Sequence, residues 1–299
     1  MSWLHTFLNY IGLSILRLFA FLPYAWTVQI GYALGYLFGR LPHQRKYVVL
    51  RNLQLCFPNL TSHQIQRLAN EHWRLLGRAV IERSRVWLGS AKQIFSLVDI
   101  ESEIPLGDNK PRILVIPHFV GFECGFMALS ALGEKNGWQR GAGLYQNMKN
   151  PFFNQKIIEW RNRFGAKSIN RQNRLFDLIR EIRKGNFVVI APDIDLGPKD
   201  SAFVPFFGIQ TNTITAISRL AKACGAEVCL MITTLNPDKS KYICKIHKAL
   251  PNFPSDDPVA DTARLNQYFE EEIRQRPAEY YWVHKRFKYR PPGEASLYD

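Results

Sequence analysis

The chain has 299 residues, 46% of them hydrophobic and 13% aromatic, with a formal charge of +14 and a pI near 9.7. That length buries a full core, and no Ser/Gly, Gln or acidic low-complexity tract and no internal repeat occurs, which excludes a disordered chain and a repeat array. The charge points to an anionic partner: nucleic acid, lipid headgroups, a phosphorylated substrate or an acidic protein.

Residues 18 to 39, LFAFLPYAWTVQIGYALGYLFG, are 22 positions without a charged side chain, enough to cross a bilayer or to lie in its interface. Arg40, Arg45, Lys46 and Arg51 follow, which by the positive-inside rule puts the downstream chain on the cytoplasmic side. Trp3, Tyr10, Tyr24, Trp26, Tyr32 and Tyr36 suit an interfacial aromatic belt. A basic start is missing and the apolar character runs on too far for a cleavable signal peptide. Residues 1–40 are therefore expected to form a membrane anchor, either a span or an interfacial hairpin bent at Pro23, ahead of an α/β domain over 41–299. A buried helical hairpin is the alternative for the same residues. Mean hydropathy is −0.18, and no run after residue 40 is long enough to span.

Residues 45–56 and 61–88 carry apolar side chains at helical spacing, broken by Phe57-Pro58-Asn59, and Thr61-Ser62 before Gln64 marks a helix start. After the turn Gly107–Pro111 comes a strand at 112–116, then a loop and a helix from about Phe122 to Lys135. Leu175, Leu178, Ile179 and Ile182 mark an amphipathic helix that Gly185 ends. Phe187–Ala191 reads as a buried strand, followed by a helix with Ile214, Ile217, Leu220 and Ala221 inward. Strands at 228–232 and 242–249 and a helix at 261–276 precede the basic end. Strands separated by helices predict an α/β fold: a central mixed, partly parallel sheet flanked by helices. Ligands of such sheets bind beyond the strand C-termini, where His118, Glu123, Asp193 and Asp195 converge. The five cysteines are scattered among apolar neighbours and read as reduced core residues, with no histidine at metal-ligand spacing.

His118-Phe119-Val120-Gly121-Phe122-Glu123 stands at the end of the first of these strands. A neutral imidazole can take a proton from a hydroxyl, and a carboxylate can fix its tautomer and stabilise the imidazolium. Positions i and i+5 diverge by roughly 140° on one helix, so His118 is expected in the loop and Glu123 in the first helical turn, with Gly121 allowing the bend. A satisfied histidine beside a capping glutamate fits the same spacing. Arg161, Arg163, Arg171 and Arg174 follow Asn150-Pro151 and offer guanidinium forks for phosphates or oxyanions, or a solvated basic face. Asp193 and Asp195 could orient an arginine, ligate a cation or hold a turn. Phe203–Gly208 is expected as an apolar loop that would suit hydrocarbon if it lined a cavity. The chain lacks a Gly-x-Ser-x-Gly elbow, a Walker A loop, a His-Glu-x-x-His helix and a Gly-x-Gly-x-x-Gly fingerprint. With no nucleophilic Ser or Cys evident at His118, direct attack by a substrate hydroxyl is favoured, which is acyl transfer in a ternary complex.

His118-x4-Glu123, the segments IAPDIDLGPKDSAFVPFFG (190–208), ITAISRLAKACGA (214–226) and YYWVHKRFKYRPPGE (280–294), and Arg51–Pro58 (RNLQLCFP) together resemble the bacterial lipid A biosynthesis late acyltransferases, closest to the lauroyl type. The likeness spans nearly the whole chain. It implies a glycerolipid-acyltransferase-like fold and an enzyme of a Gram-negative inner membrane, facing the cytoplasm. The reaction it implies moves a fatty acyl chain from acyl carrier protein to a hydroxyacyl group of a Kdo-bearing, phosphorylated lipid A precursor, with no cofactor and no metal. In that scheme His118 is the base, Glu123 holds its imidazolium, Arg161, with Arg163 as competitor, stabilises an oxyanion or binds phosphate, and Asp193 positions the arginine or a neighbour. Ile194 departs from the polar residue common there. The basic surface would draw the acidic carrier, the phosphorylated glycolipid and anionic lipids. A related acyltransferase with another glycolipid acceptor, or a non-catalytic basic membrane adaptor, are the other readings. No nucleic-acid module is recognisable.

Overall fold

A computed structural model describes residues 3–138, 141–170 and 175–299. In chain order the elements are α1 (Trp3–Phe21), α2 (Tyr24–Arg40), α3 (Gln44–Cys56), α4 (Ser62–Leu88), α5 (Ala91–Leu97), β1 (Val98–Ser102), β2 (Arg112–Val115), α6 (Phe122–Asn136), β3 (Ala142–Tyr145), α7 (Pro151–Asn162), β4 (Lys167–Asn170), α8 (Leu175–Arg183), β5 (Phe187–Ile190), β6 (Ser201–Phe206), β7 (Ile209–Ile214), α9 (Ala216–Cys224), β8 (Glu227–Leu235), β9 (Tyr242–Ala249) and α10 (Pro258–Gln275). Seven strands form one sheet in the order β1-β9-β8-β2-β5-β3-β4. All neighbours are parallel except β8 and β9, so the sheet is mixed and mostly parallel, as expected.

The central strands are buried on both faces, and their side chains alternate between two cores. Ile113, Val115, Val188, Ile190, Val228 and Leu230 pack on one side with Phe269 and Ile273 of α10. Leu114, Val189, Cys229 and Met231 pack on the other with Met127, Ala128 and Leu129 of α6. Local chemistry sets the helix starts: a capping box at Thr61 and Gln64 opens α4, and Asp257 caps α10 ahead of Pro258. The five cysteines are unpaired, and all but the half-buried Cys224 are buried.

Three expectations need correction. Phe203–Gly208 is no loop: β6 and β7 form a separate antiparallel hairpin turning at Phe207-Gly208, both with positive φ, the geometry of a two-residue primed turn. Phe206 is fully buried against Tyr280 and Phe287, so it fills core, while Phe203 on the same strand is exposed. Ile214 accordingly closes β7, and the helix begins at Ala216. Gly121 is needed for a different reason than the one expected. Its φ is an ordinary −83°, but a Cβ there would come within 2.6 Å of the Tyr242 ring and 2.9 Å of the Thr233 carbonyl.

The apolar N-terminal run is two helices broken at Leu22-Pro23. α1 is long and apolar enough to cross a membrane by length and composition, with 17% of its apolar window buried. Trp3, Phe7, Leu18 and Phe21 are exposed on it. α2 is knitted into the rest. Gly31, Gly35 and Gly39 form a stripe against α4, where a Cβ on Gly35 would stand 2.1 Å from the Trp73 carbonyl oxygen. Beside this seam Arg78 and Glu82 pair at 2.8 Å with neither exposed. Tyr24 donates to Glu82, Arg78 donates to the hydroxyls of Tyr24 and Tyr32 and to the Lys239 carbonyl, and Tyr242 of β9 donates to the other Glu82 oxygen. This network satisfies the buried charges that would otherwise be costly.

Candidate active site

In the parallel pair β2 and β5, Val115 is opposite Ile190. His118 and Asp193 each come three residues after that matched position, so the register brings them together at the strand C-termini. Asp193 is fully buried. Its Oδ1 takes the His118 Nδ1 proton at 2.6 Å and its Oδ2 takes the His118 backbone N–H at 2.8 Å. A carboxylate only accepts, so Nδ1 carries a proton, and in the neutral ring Nε2 is the acceptor. Burial pushes the Asp193 carboxyl up, but the charge of His118 and the hydrogen bonds from His118 and Tyr280 outweigh it and hold the group below the usual carboxylate range. The loop is braced from outside: Tyr281 N donates to His118 O, Val120 N donates to Glu279 O, and Asn52 of α3 holds the Trp282 and His284 carbonyls.

The carboxylate on His118 is thus Asp193, where Glu123 was expected. Glu123 lies in the first turn of α6, as its spacing predicted, but its side chain turns to a different partner. Arg161, in the last turn of α7, grips it through Nε to Oε1 at 2.8 Å and Nη2 to Oε2 at 2.6 Å, and Trp87 Nε1 donates to Oε1 at 2.7 Å. Burial raises the Glu123 carboxyl, yet Arg161, with Arg83 beyond it and the Trp87 bond, brings it below its ordinary value. Burial lowers the Arg161 guanidinium, but Glu123 more than reverses this and raises it. Among the described residues, Arg161 Nη1 has no protein acceptor. Among the described residues Asp193 makes no hydrogen bond to an arginine, and the neighbour it positions is His118.

His118, Glu123 and Arg161 line one cavity of about 370 Å³ whose other walls are mostly apolar, including Phe122, Phe126, Leu144, Ile157, Ile158 and Val189. Among the described residues its only serine, Ser168, donates to Asn162 Oδ1, and no cysteine lines it. Arg163 does not reach it: its Nη2 donates to the Val86 carbonyl, and its guanidinium lies over Phe164. Arg171 and Arg174 lie outside the described residues. Asp195 pins the loop, accepting from Gly197 N, Asn212 Nδ2 and Tyr289 N, and no group of three or more acidic, His or Cys side chains that could hold a metal occurs among the described residues. Among the cavity residues that the sequence reading did not single out are Arg83 and Trp87. Their spacing of four on the long helix 61–88 was the available signal, since it places both on one face.

The chemistry open to this arrangement is proton transfer at His118 Nε2, beside a guanidinium and an apolar chamber. The family model for bacterial lipid A biosynthesis acyltransferases matches residues 1–289. The chain is 30% identical to the lipid A biosynthesis palmitoleoyltransferase of Escherichia coli K12 and 30% identical to its lipid A biosynthesis lauroyltransferase, over 97% of this chain and 94% of each relative. A lipid A biosynthesis acyltransferase of Haemophilus influenzae is 31% identical over 98% of this chain and 94% of its own length.

Proposed function

The chain belongs to the bacterial lipid A biosynthesis acyltransferase family, and on that footing we propose that it transfers a fatty acyl chain, laurate-like in length, from acyl carrier protein to a hydroxyacyl group of a Kdo-bearing lipid A precursor. The observation that carries this reading is an imidazole held at Nδ1 by a buried carboxylate, on the wall of a largely apolar cavity that among the described residues offers no unengaged serine and no cysteine. His118 Nε2 takes the proton of the acceptor hydroxyl as its oxygen attacks the thioester carbonyl. Asp193 stabilises the imidazolium, Arg161 Nη1 faces the developing oxyanion, and Glu123 with Trp87 fixes the guanidinium in place. Collapse expels the carrier thiolate, which takes the proton back from His118. The cavity holds the acyl chain, each buried methylene contributing about 0.8 kcal/mol.

Residues 1–40 attach the enzyme to the inner membrane as an interfacial hairpin, with residues 41–299 as the catalytic unit on the cytoplasmic side. Support comes from the exposed apolar face of α1 and from the glycine seam that commits α2 to α4. The net charge of +14 favours anionic lipid, the acidic carrier and the phosphorylated acceptor alike.

The test is mass spectrometry of a Kdo-lipid A precursor incubated with purified protein and a series of acyl carrier protein thioesters, with His118→Ala alongside. A mass increment of one acyl chain that requires His118 is expected. No increment with any donor, while anionic vesicles are still bound, would sink the reading.

A further inference from the structure

Arg83 projects from α4 four residues before Trp87, so both side chains leave the same helix face and enter the cavity. They meet different fates. Trp87 ends on Glu123, whereas the Arg83 guanidinium carbon lies 5.8 Å from the centre of the Phe122 ring, itself 5.5 Å from the His118 ring. Arg83 Nε is buried without a hydrogen-bond partner, and among the described residues no protein oxygen accepts from its other nitrogens. The cavity's second guanidinium is neutralised, since Glu123 holds Arg161 by two bonds. Arg83 is thus the one cation of the cavity wall without a carboxylate of its own among the described residues.

A half-buried guanidinium loses hydration without compensation unless an anion completes it. Its planar fork, still open, matches two oxygens of a phosphate. We propose that Arg83 binds a phosphate ester of a substrate at the mouth of the acyl cavity, beside His118. This rests on the acyl-transfer reading above, in which two substrates carry such a group: the phosphopantetheine arm of the donor and the phosphorylated glycolipid acceptor. Arg83 fixes whichever phosphate reaches the cavity wall when the acceptor hydroxyl and the thioester meet at His118. Because that phosphate is not altered by the reaction, the contact acts equally in the ground and transition states and is read in KM.

The test compares full-length wild type, Arg83→Gln and Arg83→Lys by steady-state kinetics, varying donor and acceptor separately. Arg83→Gln should raise one KM by about 10- to 100-fold, the range for a hydrogen bond to a charged group, with a much smaller change in kcat, and Arg83→Lys should recover part of the loss. A rise confined to the donor assigns the phosphopantetheine phosphate, and a rise confined to the acceptor assigns the glycolipid phosphate. Calorimetric binding of acyl-phosphopantetheine, of phosphate-free acyl-pantetheine and of the phosphorylated precursor with no donor present gives a readout without turnover. Wild type should bind one phosphorylated ligand in a manner that Arg83→Gln abolishes. Unchanged KM values together with unchanged binding of every probe in Arg83→Gln would overturn the proposal. Wild type that transfers to no acceptor yet shows Arg83-dependent binding would refute acyl transfer while leaving the phosphate site standing.

Discussion

Asp193→Asn isolates the contact on which the proposed chemistry depends. Asp193 meets two donors, the His118 ring Nδ1–H and the His118 backbone N–H, with two accepting oxygens. An amide has one. If its oxygen stays on the backbone N–H, the NH₂ group faces Nδ1, which must then give up its proton, and Nε2 becomes a donor unable to act as base. If the amide turns over, two N–H groups oppose each other in a fully buried site, at about 1–3 kcal/mol. In either case the carboxylate charge that stabilises the imidazolium is gone. The analogous change in a Ser-His-Asp enzyme costs about 10⁴ in kcat, or roughly 5 kcal/mol of barrier, and a loss of that order is expected here, in kcat more than in either KM. The assay is acyl transfer under saturating donor and acceptor, with circular dichroism to confirm the fold. Retention of more than a tenth of wild-type kcat by a folded Asp193→Asn protein would refute the assignment of Asp193 as the partner of the base.

Glu123→Gln leaves the Arg161 guanidinium without its counter-charge and should lower stability by about 3–5 kcal/mol. Glu123→Gln combined with Arg161→Met should recover much of that in a thermal melt without recovering activity, and strict additivity of the two losses would contradict the pairing. His72 is buried, with Nδ1 donating to the Ala278 carbonyl, and burial pushes its pKa down from 6.5 to about 4 despite that bond. Between those values the unfolded chain binds a proton that the native state excludes, so stability should fall by up to about 3 kcal/mol as pH drops from 6.5 to 4. A His72→Gln variant should lose that share of the pH dependence, and an unchanged pH slope of its melting temperature would count against the reading. Gly35→Val forces α2 off the Trp73 carbonyl and should destabilise by at least about 1–3 kcal/mol, so an unchanged melting temperature would contradict the seam. A Cβ at Gly143 would meet the Phe126 ring at an ordinary 3.5 Å. Gly143→Ala should therefore fold normally, while Gly143→Leu should cut kcat/KM for the longest acyl donors at least tenfold relative to short ones. Equal loss for all donors would place the acyl chain elsewhere.

Much of the α/β core was legible because its strands are short apolar runs between helices of clear period, and a run such as Phe187–Ile190 has few other uses. The hairpin at 201–214 was hidden because Phe203–Gly208 is nearly all apolar, and its turn uses Phe207 in a left-handed conformation that no propensity favours. β3, α7 and β4 went unassigned between Gly141 and Asn170, where short strands and an α7 with no fully buried side chain leave a weak pattern. In the site, sequence spacing placed His118 and Glu123 correctly along the chain but paired them with each other. The true partners are Asp193 and Arg161, remote in sequence, and Asp193 reaches His118 through the parallel register of β2 on β5, which a sequence does not display. Arg163 and Arg161 were indistinguishable as residues two apart, until the end of α7 turned one into the cavity and the other onto the Val86 carbonyl.

A rapid-quench single turnover with acyl carrier protein thioester, followed with and without the hydroxyacyl acceptor, is the most direct test of direct transfer promoted by His118. The account predicts that thioester loss and acylated product appear with one rate constant, only when both substrates are present, and that His118→Gln abolishes both. A burst of free carrier without acceptor, with the protein gaining the mass of one acyl chain, would contradict it.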